Sequence, residues 1–88
     1  MATINKKIWT GWFDDVQSGK KKFELRLNDF AIKEGDTLVL QEWNPQTKEY
    51  TGRQLEKIVT YVRHFKINEL FWPQEEIEEK GLQIIAFN

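Results

Sequence analysis

One short segment of the chain concentrates the side chains whose types and spacing suit chemistry. Gly19 is followed by Lys20, Lys21, Glu24 and Arg26. In a strand, Glu24 and Arg26 would project from the same face, about 6.5–7 Å apart. Arg26 could then hold a phosphate through two parallel hydrogen bonds, Lys21 could neutralise it, and Glu24 could orient Arg26, accept from a base amino group or act as a general base. These residues suit an anionic ligand such as a nucleotide, but the alternation alone slightly favours the alternative, a solvated strand face with an ordinary surface salt bridge.

Tryptophan supplies the second kind of candidate side chain. The chain has four of them, and a ring exposed beside a cationic segment can stack a nucleic-acid base, a contact worth about 1–3 kcal/mol. Packing is the commoner role of such a ring. Trp9 and Trp43 lie nearest to the charged segment in the predicted fold, so these two are the candidates for stacking.

The composition excludes several classes of site. There is no cysteine, which rules out disulfides, thiolate nucleophiles and cysteine zinc sites. His64 is the only histidine and has no second histidine or cysteine with which to bind a metal. We therefore predict neither a metal nor a cofactor.

Charge is distributed unevenly along the chain. The net charge of −1 argues against a general polyanion binder. Residues 6–26 nevertheless carry six cationic and three acidic side chains, a net charge of +3, whereas residues 69–80 carry five acidic side chains and one lysine, a net charge of −4. The basic end can steer an anion to the segment around Lys21. The acidic end leaves open a different function, a protein-interaction domain that docks a partner through Glu75–Glu79.

Hydrophobic periodicity and capping residues predict the elements that would position these side chains. Phe13 and Val16 give a helical stripe that ends at Gly19. Strict alternation over residues 22–28 predicts a half-buried strand with its apolar side chains turned inward, and Pro73 and Gly81 suit the two ends of a second helix. The predicted elements are a strand at Thr3–Trp9, a helix at Thr10–Ser18, strands at Lys22–Asn28, Thr37–Trp43 and Tyr50–Phe65, a helix between Pro73 and Gly81, and a strand at Leu82–Phe87.

The order β-α-β-β-β-α-β predicts a mixed α+β fold that is mainly β, with two short flanking helices. A long strand bent near Gly52 suits the corner of a small β-barrel, so a barrel is favoured over a sandwich. Eighty-eight residues suit a single domain, 1–88. The N-terminus lacks the apolar run of a signal peptide and no stretch suits a transmembrane helix, so we expect a cytoplasmic protein without membrane contact. The oligomeric state does not follow from the sequence.

The spacing G-x-K-x-x-E-x-R, filled by Gly19, Lys21, Glu24 and Arg26, resembles the signature of the ASCH domain family, a branch of the PUA-like barrels. Three further segments are similar to small stand-alone bacterial and archaeal members of that family, and the resemblance spans the chain from about Ile4 to Phe87. These segments are the Gly35-Asp36 turn, the hairpin from Trp43-Asn44-Pro45 to Tyr50-Thr51-Gly52-Arg53, and the closing sequence GLQIIAF.

The resemblance implies a PUA-like β-barrel with a cleft beside the first helix, lined by the motif residues, and an RNA or nucleotide as the partner. Two enzymatic branches are also implied, one that removes an acyl group from N4-acylcytidine substrates and one that cuts RNA. If the chain is an enzyme, Lys21 and Glu24 are its catalytic candidates. The amidohydrolase branch, however, places a threonine nucleophile where this chain has Glu24.

Overall fold

Three strands form a single mixed sheet. In the computed structural model, which describes residues 1–87, the strands are β1 (Thr3–Trp9), β2 (Thr37–Asn44) and β3 (Glu49–Ile58), in the spatial order β1-β2-β3. Strand β1 is parallel to β2, and β3 is antiparallel to β2. The parallel pair requires a crossover connection, which here contains helix α1 (Thr10–Gln17) and the long loop over residues 18–36.

Helix α1 covers one face of this sheet and forms the core with it. Phe13 and Val16 are buried on the helix and pack against Ile8 of β1 and Leu40 of β2. The helix begins directly after β1 and ends at Ser18. Gly19 follows with φ at 86°, a left-handed conformation that suits glycine at the end of a helix. The predicted first strand and first helix are thus confirmed to within a residue.

A bulge interrupts the hairpin between β2 and β3. The pairing shifts between Gln41, opposite Gln54, and Trp43, opposite Tyr50. Gly52 lies in this stretch with φ at 94°, and a Cβ at this position would meet no heavy atom within 4 Å. The requirement for glycine is therefore conformational rather than steric. The irregularity expected near Gly52, a bulge or a bend, is therefore a bulge.

A buried aspartate joins the starts of two strands. The Asp36 carboxylate accepts hydrogen bonds from the backbone N–H of Ala2, at 2.9 Å, and of Lys33, at 3.0 Å. These two bonds lower the pKa of Asp36. Val59 donates its backbone N–H to the Asp36 carbonyl, so the turn before β2 is also tied to the end of β3.

The prediction of a β-barrel, and with it the PUA-like barrel architecture, is wrong for this structure. The three-stranded sheet does not close on itself. Within residues 1–87, neither Lys22–Asn28 nor Leu82–Phe87 forms a strand, and β3 ends at Ile58 instead of continuing to Phe65. A mixed α+β arrangement remains, with two short helices.

The segment after α1 shows why alternation alone was misleading. Leu25 and Leu27, expected to face inward, are 64 % and 79 % exposed, whereas the side chain of Glu24 is only 14 % exposed. The charged side of the segment is therefore the one held against the protein. Alternation shows which residues share a face, but not which face is buried or whether another strand pairs with it.

The last third of the chain contains a 3₁₀ turn at Ile67–Glu69 and helix α2 at Gln74–Lys80. The second predicted helix is confirmed, with Glu75 and Glu76 in its first turn and Lys80 in its last. Large apolar side chains in this region are exposed, including Phe71 at 92 % and Phe87 at 91 %. Among residues 1–87, no helix has the length and hydrophobicity needed to cross a bilayer.

Candidate functional site

The loop that follows α1 brings together three of the predicted site residues, Lys21, Glu24 and Arg26, which we call the loop cluster. Lys21 Nζ lies 2.5 Å from Glu24 Oε1, and Arg26 Nε donates to Glu24 Oε2 at 2.8 Å. Each carboxylate oxygen thus binds one cation, and the cluster has a net charge of +1. The three side chains are between 14 % and 29 % exposed, so the cluster remains open to solvent.

Backbone contacts attach the loop cluster to both neighbouring elements. The Lys21 backbone N–H donates to the carbonyl of Asp15 at 3.0 Å, which anchors the loop to α1. Arg26 Nη2 donates to the carbonyl of Lys7 in β1. Glu24, held between the two cations, is therefore fixed relative to the helix and to the sheet. Gly19 and Lys20, two further predicted site residues, lie exposed in the turn that leads into the cluster.

Aromatic rings surround the lysine of the loop cluster. Lys21 Nζ is 5.2 Å from the centre of the Phe23 ring and 5.6 Å from that of Trp12. Trp12 stacks on Trp9 with ring centres 5.7 Å apart and planes inclined by 15°. The predicted site residue Trp9 therefore reaches the loop cluster through Trp12, a ring that the sequence alone did not single out.

The other predicted stacking residue, Trp43, belongs to a separate aromatic group on the sheet. Lys7 Nζ lies 3.7 Å from the centre of the Trp43 ring, in cation–π geometry. Tyr50 contacts the same indole edge-on, with ring centres 5.0 Å apart. One side of Trp43 is therefore already covered by a lysine. This group is connected to the loop cluster through Lys7, whose carbonyl binds Arg26.

A second charged cluster, which the sequence analysis missed, lies where α1 meets the hairpin. Arg53 Nε and Nη2 donate to the two carboxylate oxygens of Glu42 at 2.8 and 2.7 Å, and the hydroxyl of Thr51 also donates to Glu42. Arg53 bridges onward to Asp14 of α1 at 3.1 Å, and its guanidinium lies 4.6 Å from the centre of the Phe13 ring. We call Asp14, Glu42, Thr51 and Arg53 the buried cluster after its carboxylate Glu42, since the side chains of Arg53 and Asp14 are 48 % and 58 % exposed.

The electrostatics of the buried cluster follow from its geometry. The side chain of Glu42 is 2 % exposed, and the hydrogen bonds from Arg53 and Thr51 lower the pKa of Glu42 to about 2. The same pairing raises the pKa of Arg53. Both side chains therefore stay charged and bound to each other at neutral pH. The sequence contained a signal for this cluster. Leu38, Leu40 and Glu42 alternate along β2 and therefore share one face, on which Leu40 is a core residue and Leu38 packs against the core. Burial of Glu42 follows from that alternation.

Two surface hollows of the described residues lie elsewhere. One is lined by residues between Ile32 and His64, and the other by residues between Ile67 and Glu78. Neither hollow includes a member of the loop cluster, which lies instead on a surface beside the Trp9–Trp12 pair. Within residues 1–87, no three histidine or acidic side chains gather closely enough to hold a metal ion.

Comparison with known proteins identifies the family of the chain. A family described as "Domain of unknown function (DUF3850)" matches residues 4–72, which include both clusters. The chain belongs to the DUF3850 family. A relative of this chain is the "Uncharacterized 12.9 kDa protein in GpA 3'region" of Escherichia phage P2, which is 41 % identical over 63 residues.

The alignment with the phage protein covers 70 % of this chain and 56 % of the relative, so it accounts for little more than half of the phage protein's length. No solved structure matches the chain. Helix α2 and the segment after it lie outside the DUF3850 match, which ends at residue 72. The resemblance to the ASCH family stays a prediction.

Proposed function

We propose that this DUF3850 domain is an RNA- or nucleotide-binding module whose ligand occupies the loop cluster and the aromatic rings beside it. The observation that carries the proposal is the convergence of Lys21, Glu24 and Arg26, with Lys21 within 6 Å of two aromatic ring centres. Two cations share one carboxylate in a partly exposed place, which leaves a net positive charge beside apolar rings. A nucleotide presents the matching combination of a phosphate and an aromatic base.

Each side chain has a distinct role in this proposal. Lys21 and Arg26 contact phosphate oxygens, the first as a point charge and the second through N–H donors along the edge of its planar guanidinium. Glu24 holds both cations in place before the ligand arrives, which reduces the conformational entropy lost on binding. It also keeps the local charge at +1, which suits a nucleotide or a short single strand better than a long polyanion.

Overall charge supports a local rather than a general interaction with phosphate. The chain as a whole carries −1, yet residues 6–26 carry +3. A ligand is therefore attracted to the stretch of chain that contains the loop cluster and repelled by the acidic residues 69–80. Binding of this kind depends on salt, because every phosphate that is neutralised on a single strand releases counterion.

The test is a titration of short single-stranded RNAs and of nucleotides, followed by fluorescence anisotropy or NMR, at several salt concentrations. Lys21→Ala and Arg26→Ala should each weaken binding about tenfold, as expected for the loss of one charge-assisted hydrogen bond. Each should also reduce the slope of log K against log salt by about 0.7. Lys57→Ala and Arg63→Ala, at exposed positions outside the loop cluster, are the matched controls and should change neither quantity.

Two results would overturn the proposal. One is the absence of binding to every RNA and nucleotide in the panel. The other is binding that the control variants weaken as much as Lys21→Ala does. An assay of the same protein with N4-acylcytidines and labelled RNA distinguishes a hydrolase, since turnover abolished by Lys21→Ala and Glu24→Gln would make the loop cluster catalytic.

A further inference from the structure

Trp9 and Trp12 form an exposed pair on the outer side of the junction between β1 and α1. They are 54 % and 55 % exposed, whereas the neighbouring Phe13 is 1 % exposed and faces the core. Tryptophan is highly buried on average. Two adjacent indoles that each show half their surface to water therefore form an apolar patch that the core does not explain.

The geometry of the pair is that of a preformed stacking surface. The ring centres are 5.7 Å apart and the planes are within 15° of parallel, so the two indoles form an offset stack. Trp9 is the last residue of β1 and Trp12 lies in the first turn of α1, so regular structure fixes both backbones. A flat ligand that extends the stack would therefore cost little side-chain conformational entropy, because the two indoles are already ordered.

The cation beside the pair indicates what kind of flat ligand fits. Lys21 Nζ lies 5.6 Å from the centre of the Trp12 ring and is held there by Glu24. An aromatic surface next to an oriented ammonium group matches a base attached to a phosphate. Trp43 offers a poorer surface, because Lys7 Nζ already lies 3.7 Å from its ring centre.

We propose that the Trp9–Trp12 pair stacks an unpaired base, so that the ligand of this domain is single-stranded nucleic acid rather than a duplex. This inference rests on the proposed function and specifies its substrate class. The bases of a duplex are stacked on each other and cannot present a face to the indoles, whereas every base of a flexible single strand can. Since all four bases have an aromatic face, the preference for sequence is weak.

The experiment combines a change in the protein with a change in the ligand. Wild type and Trp12→Leu are titrated with a short single-stranded RNA, with the same strand carrying abasic positions, and with the corresponding duplex. For wild type we expect the abasic strand and the duplex to bind at least about five times more weakly than the intact strand. Trp12→Leu should lose a similar factor with the intact strand and less than about twofold with the abasic strand, because the base that the indole would contact is already absent.

Trp72→Leu is the matched control. Trp72 is 51 % exposed and contacts Phe71 edge-on, close to the acidic helix. This variant should bind all three ligands as wild type does. Trp12→Phe, which keeps an aromatic face, should retain most of the affinity for the intact strand, and circular dichroism checks that each variant keeps the fold.

The outcomes distinguish base stacking on the Trp9–Trp12 pair from the proposed function on which it rests. If wild type binds the intact and abasic strands equally, or if Trp12→Leu weakens both by the same factor, base stacking on the pair is overturned. Binding that is still lost in Lys21→Ala would then leave the proposed function standing. If no RNA binds at all, both proposals fail. Because the abasic comparison uses wild type, equal binding of the two strands overturns the inference even if Trp12→Leu does not fold, and Trp12→Phe then serves as the second variant.

Discussion

The loop cluster and the buried cluster both contain a glutamate paired with an arginine, but they differ in burial and in the elements that they join. Both place a carboxylate against an arginine, yet Glu24 is 14 % exposed while the side chain of Glu42 is 2 % exposed. The loop cluster is formed almost entirely within residues 21–26. The buried cluster connects three elements, since Asp14 lies in α1, Glu42 in β2 and Arg53 in β3.

The contrast shows how burial decides the role of an ion pair. A carboxylate removed from water must be fully paired, and Glu42 is paired through both oxygens with an arginine and again with a threonine hydroxyl. Both oxygens of Glu42 are thus occupied, and its pairing with Arg53 joins β2 to β3. A partly exposed pair contributes little to stability, and a ligand can replace part of it at small cost. The contrast supports the proposal that a ligand binds at the loop cluster, whereas the buried cluster joins α1, β2 and β3.

The largest expected effect comes from removing one charge from each cluster in turn. Glu42→Gln leaves Arg53 facing an amide that can no longer match its two donors, and the free energy of unfolding should fall by about 2–3 kcal/mol. Glu24→Gln is the matched change in the loop cluster and should cost less than about 1 kcal/mol. Urea denaturation measures both. Equal losses in the two variants would show that burial does not separate the clusters.

Acid should act mainly on the buried carboxylates. The pKa of Glu42 is lowered from its ordinary value of 4.5 to about 2, and that of Asp36 is also lowered. A lowered pKa contributes stability that is fully present above the ordinary pKa and is lost as pH falls toward the folded-state value. The free energy of unfolding should therefore decrease as pH drops from about 5 to 2.

The variant Glu42→Gln provides the check on that pH dependence. Its stability should start lower at pH 7 and fall less steeply below pH 5, because the group that takes up the proton on unfolding is gone. The slope that remains reflects Asp36 and other carboxylates. Denaturation at pH 7, 5, 4 and 3 measures it, and an unchanged slope in the variant would remove Glu42 as the source of acid sensitivity.

The smallest expected effect concerns the bulge that positions Arg53. Gly52→Ala places a Cβ on a residue whose φ is 94°, with no neighbouring atom within 4 Å, so the cost is conformational strain of about 1 kcal/mol. Gly11→Ala is the control. Its Cβ also meets nothing within 4 Å, but Gly11 lies in α1 without a positive φ, and alanine should stabilise the helix there by about 0.5–1 kcal/mol. Thermal or urea unfolding measures the change in the free energy of unfolding, which should be a decrease for Gly52→Ala and an increase for Gly11→Ala. A decrease in both variants would contradict this account.

Local patterns predicted the regular elements near the N-terminus well. Thr3–Trp9, the helix from Thr10, the strand from Thr37 and the hairpin with its bulge at Gly52 all occur. In these segments, turn chemistry and periodicity agree with the contacts that the elements make. The strand predicted over Lys22–Asn28 shows the limit, because a strand needs a partner as well as a pattern. Charged contacts hold that segment by Glu24 and Arg26, and its leucines stay exposed.

The candidate site was likewise predictable only in part. The spacing from Gly19 to Arg26 identified the residues of the loop cluster, although the convergence occurs in a loop rather than on a strand face. Trp12 is not among the stacking candidates that the sequence analysis names, yet it is half exposed and stacked on Trp9. Helical spacing places Trp12 only relative to its own helix, and the end of β1 decides which ring it meets.

By itself, the sequence determined the first strand, the two helices, the turn into the hairpin, and which charges lie close together along the chain. These properties depend on residues only a few positions apart. The tertiary structure alone decided that Glu42 would be buried against Arg53, that Glu24 would lie between two cations against the protein surface, and that the sheet would stay open with three strands. Such outcomes depend on which distant segments meet, because burial and backbone pairing belong to pairs of surfaces and not to a single stretch of chain.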